Sequence, residues 1–217
     1  MIKLHCFGES GNAYKAALTL ALTESEWTPV FVDFFNGATR SPEFRDLNIM
    51  GEVPVMEDGD LVLTQSGVIQ DYISSKTGSL GGKSAAERRE VLRWMFFDNH
   101  KVSGVAGALR FQMNFLPEDK RNADVIAFMS ARLHGALKIM ETHLADNYWL
   151  ASEVVTIADI ACAGYLFYPE EFTFERAAYP NIDRWLDQIA ALPHFALPYD
   201  LMPGSPADRA QSEESHD

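Results

Sequence analysis

Residues 51–67 constrain the fold more than any other stretch of this chain. Gly51-Glu52-Val53-Pro54-Val55-Met56 sets a proline at the mouth of a hydrophobic strand. A tight acidic turn, Glu57-Asp58-Gly59-Asp60, then returns the chain as Leu61-Val62-Leu63-Thr64-Gln65-Ser66-Gly67. Proline has no N–H to give to a ladder, so it belongs at an edge or at the first residue of a strand. A cis Val53–Pro54 bond answers that constraint, and cis X-Pro bonds in folded proteins are specific features. The second strand runs directly into Gln-Ser and an apolar helical pattern. Ser66 therefore offers a hydroxyl and a backbone N–H at a helix start, where an anion is favoured.

The hairpin sits in a regular order of elements. Residues 2–7 read as a strand, and Gly8-Glu9-Ser10-Gly11-Asn12 as a turn with helix-start residues. Tyr14, Ala17, Leu18, Ala21 and Leu22 then fall at helical spacing as far as about residue 24. Residues 28–34, rich in Val and Phe, read as a strand, and strand–helix–strand of this length is a parallel βαβ unit. Ser41-Pro42 opens a short helix, with serine at the cap and proline at the first helical position. The hairpin follows, then a helix over 65–76. Residues 1–77 thus read βαβαββα.

Thr77-Gly78-Ser79-Leu80-Gly81-Gly82-Lys83-Ser84 is polar and rich in glycine, which marks 78–84 as a linker. Beyond it helical periodicity takes over: 85–115 with a break near Gly104 and Gly107, then 118–145, 156–168 and 180–192. Residues 85–202 therefore form an all-helical domain. The segment 203–217 is small and polar, and we expect it to be a disordered tail. Thr156-Ile157-Ala158-Asp159 reads as a capping box closed by Asp, a structural device at a buried helix start.

Composition excludes several classes. The 217 residues carry 18 Lys plus Arg against 31 Asp plus Glu, a formal net charge of −13, and nucleic-acid binding needs a basic footprint. The two cysteines, Cys6 and Cys162, are far apart and form no CxxC, so neither a disulfide framework nor a zinc site is expected. His100 has no ligand partner at i+3 or i+4, and no metal is expected. No apolar run is long enough to span a membrane, and Met1-Ile2-Lys3-Leu4-His5 reads as a strand, not a leader. These readings place the protein in the cytoplasm.

Ser10 and Asn12 lie between the first strand and first helix. Both residue types are favoured helix caps whatever the function. Both also donate hydrogen bonds, and donation to a charged acceptor is stronger than to a neutral one. Arg40 either meets a carboxylate or is simply solvated in its polar loop.

On the Val53–Pro54 hairpin, Gln65-Ser66 and Ser10-x-Asn12 together, the chain resembles the glutathione S-transferase family, in particular members with a serine or asparagine at the active site. Asn48-Ile49-Met50-Gly51-Glu52-Val53-Pro54 resembles the family's Asn-Pro-x-Gly-x-Val-Pro, with Ile49 where proline is usual. The resemblance covers roughly residues 2–197. It implies a thioredoxin-like N-terminal domain (α/β) followed by an all-α domain. It implies that Val53, beside Pro54, presents its N–H and C=O to the cysteinyl unit of glutathione in the manner of strand addition. Gln65 and Ser66 would hold the γ-glutamyl ammonium and carboxylate, and Thr39 and Arg40 the glycyl carboxylate.

In a thioredoxin-like fold the reactive sulfur sits at the start of the first helix, where partial positive charge and free N–H groups lower a thiol pKa. This chain has no cysteine there. The resemblance therefore implies that it borrows the thiol of glutathione, a co-substrate, and stabilises the thiolate through Ser10 and Asn12. The helical domain would hold a hydrophobic electrophile, with His100 and Arg110 among the pocket residues, and the protein would form a homodimer. The alternatives are a glutathione-dependent disulfide oxidoreductase or peroxidase using the same site, and a ligand-binding protein that has kept the fold without turnover.

Overall fold

The computed structural model describes residues 1–206 and divides into two compact units. One comprises Met1–Thr77 together with the described residues from Pro193 onward; the other is Gly78–Leu192.

The first unit is built on strand β1 (Ile2–Cys6), helix α1 (Gly11–Leu22), β2 (Trp27–Phe31), α2 (Pro42–Leu47), β3 (Val55–Asp58), β4 (Leu61–Thr64) and α3 (Ser66–Thr77). The sheet order is β2-β1-β3-β4. β1 pairs with β2 in parallel and with β3 antiparallel, and the hairpin closes the other side. β2 ends earlier than the sequence predicts. Asp33 folds the chain back by accepting from the backbone N–H and side-chain amide of Asn36, which spends the strand's last residues on a turn. Pro29 is tolerated because β2 is an edge strand.

α1 is buried on nearly every side, through Ala13, Tyr14, Ala16, Ala17, Leu18 and Leu20. Such a helix needs a sharp start, and the Ser10 hydroxyl supplies it by accepting from Ala13 N at 3.2 Å. The hairpin is tied to α3 at its far end: Asp58 accepts from Tyr72 Oη at 2.7 Å and pairs with Lys76. Those two donors hold the Asp58 carboxyl below the usual carboxylate range.

The second unit comprises α4 (Ala85–Phe97), α5 (Gly104–Arg110), α6 (Ala123–Asp146), α7 (Ile157–Ala163) and α8 (Pro180–Ala190). α4 and α5 run on through two π-helical stretches, Asp98–Ser103 and Phe111–Phe115. The break expected at Gly104 and Gly107 is instead this widening one turn earlier, closed by Ser103 Oγ donating to buried Asp98 at 2.7 Å. The stretch read as a linker packs into this unit, since Ile157 N donates to Leu80 O at 2.8 Å.

α8 starts without a side-chain cap of its own. Glu141 of α6 takes over, accepting from Asn181 N and Ile182 N, each at 3.0 Å, and from Asn181 Nδ2 at 2.8 Å. A carboxylate at a helix N-terminus satisfies orphan donors and meets the positive end of the dipole. Glu141→Ala is expected to lower stability by about 1–2 kcal/mol. Urea unfolding would show a lower midpoint with an unchanged slope.

The C-terminal boundary departs from the sequence expectation. Residues 193–202, assigned above to the helical domain, belong to the first unit, where α9 (Pro198–Leu201) lies. The start of the expected tail is also ordered. Gly8 N donates to Pro203 O at 2.7 Å, and a Cβ on Gly204 would come within 2.3 Å of the Phe31 ring, so only glycine fits. Tyr14 Oη joins the same packing by donating to Ala196 O at 2.8 Å. Residues 207–217 of that expected tail lie outside the described residues.

Candidate active site at one end of the sheet

Strand register gathers the chemistry-bearing residues. His5 faces Val55, and Val55 faces Thr64. β3 lies between β1 and β4 and runs antiparallel to both, so the exits of β1 and β4 lie beside the entry to β3. β2 runs parallel to β1, so its exit loop, which leads to Thr39 and Arg40, leaves from the same end. The end of β1, the entry to β3 and the exit of β4 therefore meet at one sheet edge.

Ser10 is nearly buried, 9% exposed, where β1 hands over to α1. Its oxygen accepts from Ala13 N, which leaves the hydroxyl hydrogen to donate outward. Capping and donation to an anion are thus compatible roles for this residue. Asn12, two residues further on and half-buried, makes no side-chain hydrogen bond among the described residues. The only cysteine of this unit, Cys6, is fully buried in β1 and its thiol is pushed up to about 12 by burial. It is neither exposed nor ionised at neutral pH, so it offers no nucleophile.

The Val53–Pro54 peptide is cis and Pro54 is buried. Laddering between β1 and β3 begins only at Val55. Among the described residues nothing pairs with the Val53 N–H or C=O. An unpaired donor and acceptor side by side on a strand end can take one residue of an extended peptide. The loop that holds them is pinned from below. Buried Asn48 donates to Glu52 O at 2.8 Å and accepts from Met50 N at 3.1 Å. Gly51, at φ +64°, lets Thr39 come close: a Cβ there would lie 2.8 Å from Thr39 O.

Thr39 is buried by that contact, while the adjacent Arg40 is exposed and has no ion-pair partner among the described residues. On the other side, Gln65 sits at φ +67° immediately before α3. A left-handed glutamine is uncommon, and such residues concentrate at functional sites. Its Nε2 donates to Glu52 Oε2 at 3.2 Å and to Met50 Sδ at 3.1 Å. Ser66 opens the 12-residue α3 and is half-buried, with the first-turn N–H groups of that helix beside it. The arrangement offers hydroxyl and amide donors at one helix start, a serine at a second, an open peptide edge between them and a free cation nearby. It suits a short anionic peptide.

The two helical-domain residues are placed differently from each other. His100 is exposed on the π-helical stretch Asp98–Ser103. Arg110 is 1% exposed, bonded to Glu170 Oε2 at 2.7 Å and stacked 3.7 Å over the Tyr168 ring. Its charge is engaged within the helical unit by a carboxylate and an aromatic ring. Glu52 stands at an unspecified position of the Asn48–Pro54 motif, so the sequence alone assigns it no role. Among the described residues no group of three potential ligands is placed to hold a metal ion.

Family models match at both halves of the chain: glutathione S-transferase N-terminal domain over residues 2–75 and glutathione S-transferase C-terminal domain over residues 110–193. The chain is 32% identical to glutathione S-transferase 3 of Zea mays over 95% of its own length and 99% of the maize protein. A glutathione S-transferase structure from Xanthobacter autotrophicus aligns at a TM-score of 0.86 with 30% identity, covering 97% of this chain and 100% of the other. A glutathione transferase structure from Burkholderia graminis, with two glutathione molecules bound per subunit, aligns at 0.80 with 26% identity over 89% of this chain and 85% of that one.

Proposed function

The chain belongs to the glutathione S-transferase family, and from that premise we propose that it conjugates the glutathione thiolate, stabilised by Ser10 and Asn12, to a hydrophobic electrophile. The observation that carries this reading is Ser10: its oxygen is engaged as a cap while its hydrogen is free to donate. The peptide of glutathione lies along Val53, beside cis Pro54. Ser66 and the first turn of α3 take the γ-glutamyl carboxylate, Gln65 takes the ammonium, and Arg40 with Thr39 serves the glycyl carboxylate.

The chemistry needs little else. The thiol gives its proton to solvent, and donors at the start of α1 stabilise the anion left behind. The sulfur then attacks an electrophilic carbon. A C–S bond forms, and the electron pair of the broken bond leaves with the displaced group or moves onto the acceptor. Exposed Leu92 and Phe96 on α4, and Phe128 and Ile139 on α6, are the apolar surface from which we read a homodimer. No helix among the described residues is long and apolar enough to cross a membrane. With both cysteines free and buried, we place the protein in the cytoplasm.

The thiolate absorbance of bound glutathione, titrated against pH, tests this reading. The midpoint is expected well below that of a free thiol, about 8.5. Since the site favours the ionised form, glutathione binding tightens as pH rises from the bound midpoint towards the free one. An unshifted midpoint despite tight binding would leave a ligand carrier as the reading.

A second reading, glutathione-dependent disulfide reduction, draws on the Burkholderia graminis structure with its two glutathione molecules. There the acceptor is a mixed disulfide. The thiolate attacks the glutathione sulfur, the S–S bond breaks, and glutathione disulfide and a free thiol are released. Production of glutathione disulfide from such a substrate, without conjugation of any electrophile, would favour it.

A further inference from the structure

The γ-glutamyl end of the site contains a residue with no role assigned so far. We infer that Glu52 is a positioning residue that orients the Gln65 amide and thereby makes the site selective for a ligand with a free α-ammonium. The inference rests on the glutathione reading above and names the determinant of that site's specificity.

An exposed glutamine amide is ambiguous. Turned one way it presents a carbonyl oxygen, turned the other way two N–H donors. An ammonium accepts nothing, so only the first orientation binds it. The structure resolves the ambiguity through Glu52. Its carboxylate is an acceptor only and takes Gln65 Nε2 at 3.2 Å, while Met50 Sδ takes the same nitrogen at 3.1 Å. Two acceptors on Nε2 leave Oε1 as the end that faces away from the loop, and Oε1 accepts nothing among the described residues. The left-handed backbone at Gln65, φ +67°, limits the directions the side chain takes, so the amide orientation is the remaining freedom.

Glu52 is itself well held, and by its main chain. Asn48 Nδ2 donates to Glu52 O, and Asn48 is buried. Changing the Glu52 side chain therefore leaves the loop anchored and the Val53 peptide edge in place. The effect of a substitution should pass through Gln65 and not through the fold of the loop.

The test compares two ligands on three proteins. The ligands are glutathione and its deamino analogue, glutarylcysteinylglycine, which lacks only the α-amine. The proteins are the wild-type chain, Glu52→Ala and Glu52→Gln, with affinity measured by calorimetry. Wild type is expected to prefer glutathione. Both variants are expected to bind glutathione about fivefold more weakly and the deamino analogue as wild type does. Glutamine at 52 loses selectivity too, because it both donates and accepts and no longer dictates which end of Gln65 turns outward. Equal weakening for both ligands would assign Glu52 to loop structure, and no weakening for either would remove it from the site; both overturn the inference. Failure of wild type to bind either ligand would overturn the glutathione reading itself, a result distinct from the other two.

Discussion

Ser10→Ala is expected to lower kcat/KM for glutathione conjugation by about 100-fold, the order seen when one donor to a developing or resident anion is removed from a preorganised site. The prediction has to be separated from a stability effect, because Ser10 also caps α1 through Ala13 N. Losing a serine cap to alanine costs about 0.5–2 kcal/mol, while losing it to glycine costs only a few tenths. Ser10→Gly is therefore the decisive partner variant: its melting temperature should stay near wild type while its activity falls as far as that of Ser10→Ala. The pH profile should move with it. With one donor gone the bound thiol titrates closer to a free thiol, so residual activity shifts to higher pH. Asn12→Ala should produce a smaller loss, and the double variant should fall short of the product of the two, because both donors serve one sulfur. If Ser10→Gly retained full kcat/KM, the thiolate would be stabilised elsewhere and the assignment of Ser10 would fail.

What the sequence revealed and what it hid follow from the range of the interactions involved. The Val53–Pro54 hairpin was legible because proline lacks an N–H, a constraint that acts within a few residues. The amphipathic helices were legible for the same reason, as periodicity is local. The return of residues 193–206 to the N-terminal unit was not. Its contacts, Gly8 with Pro203 and Tyr14 with Ala196, join residues far apart in the chain through small and polar side chains that show no pattern. Arg110 is a second case. A charged residue among aromatics reads as a pocket, and only the distant Glu170 reveals it as part of a buried pair. At the site, the residue types at 10, 12, 53, 65 and 66 were readable one by one. The contact between Glu52 and Gln65 arises only when β3 and β4 pair.

Asp159→Asn should be among the most destabilising substitutions in the chain, despite replacing one oxygen with a nitrogen of similar size. The Asp159 side chain is fully buried, and its two oxygens are both occupied by donors. Oδ1 accepts from Leu150 N at 2.8 Å and Trp185 Nε1 at 3.0 Å; Oδ2 accepts from Thr156 N at 2.9 Å and Thr156 Oγ1 at 3.1 Å. One carboxylate thus starts α7, fastens the loop after α6 and meets the central tryptophan of α8. An asparagine amide has only one accepting end. Whichever way it turns, its N–H₂ group faces at least one backbone N–H that no longer has an acceptor, in a place water does not reach. Stranded buried donors cost about 1–3 kcal/mol each, so the loss should reach about 3–5 kcal/mol, a large part of the total stability of a typical domain. Thr156→Ala removes the cap oxygen that Ala158 N uses and leaves the carboxylate in place, so it should cost only about 1 kcal/mol. Thermal unfolding followed by tryptophan fluorescence would order the three proteins as wild type, Thr156→Ala and Asp159→Asn. If Asp159→Asn melted within a degree or two of wild type, the carboxylate would not be the junction of α6, α7 and α8 that these four hydrogen bonds describe.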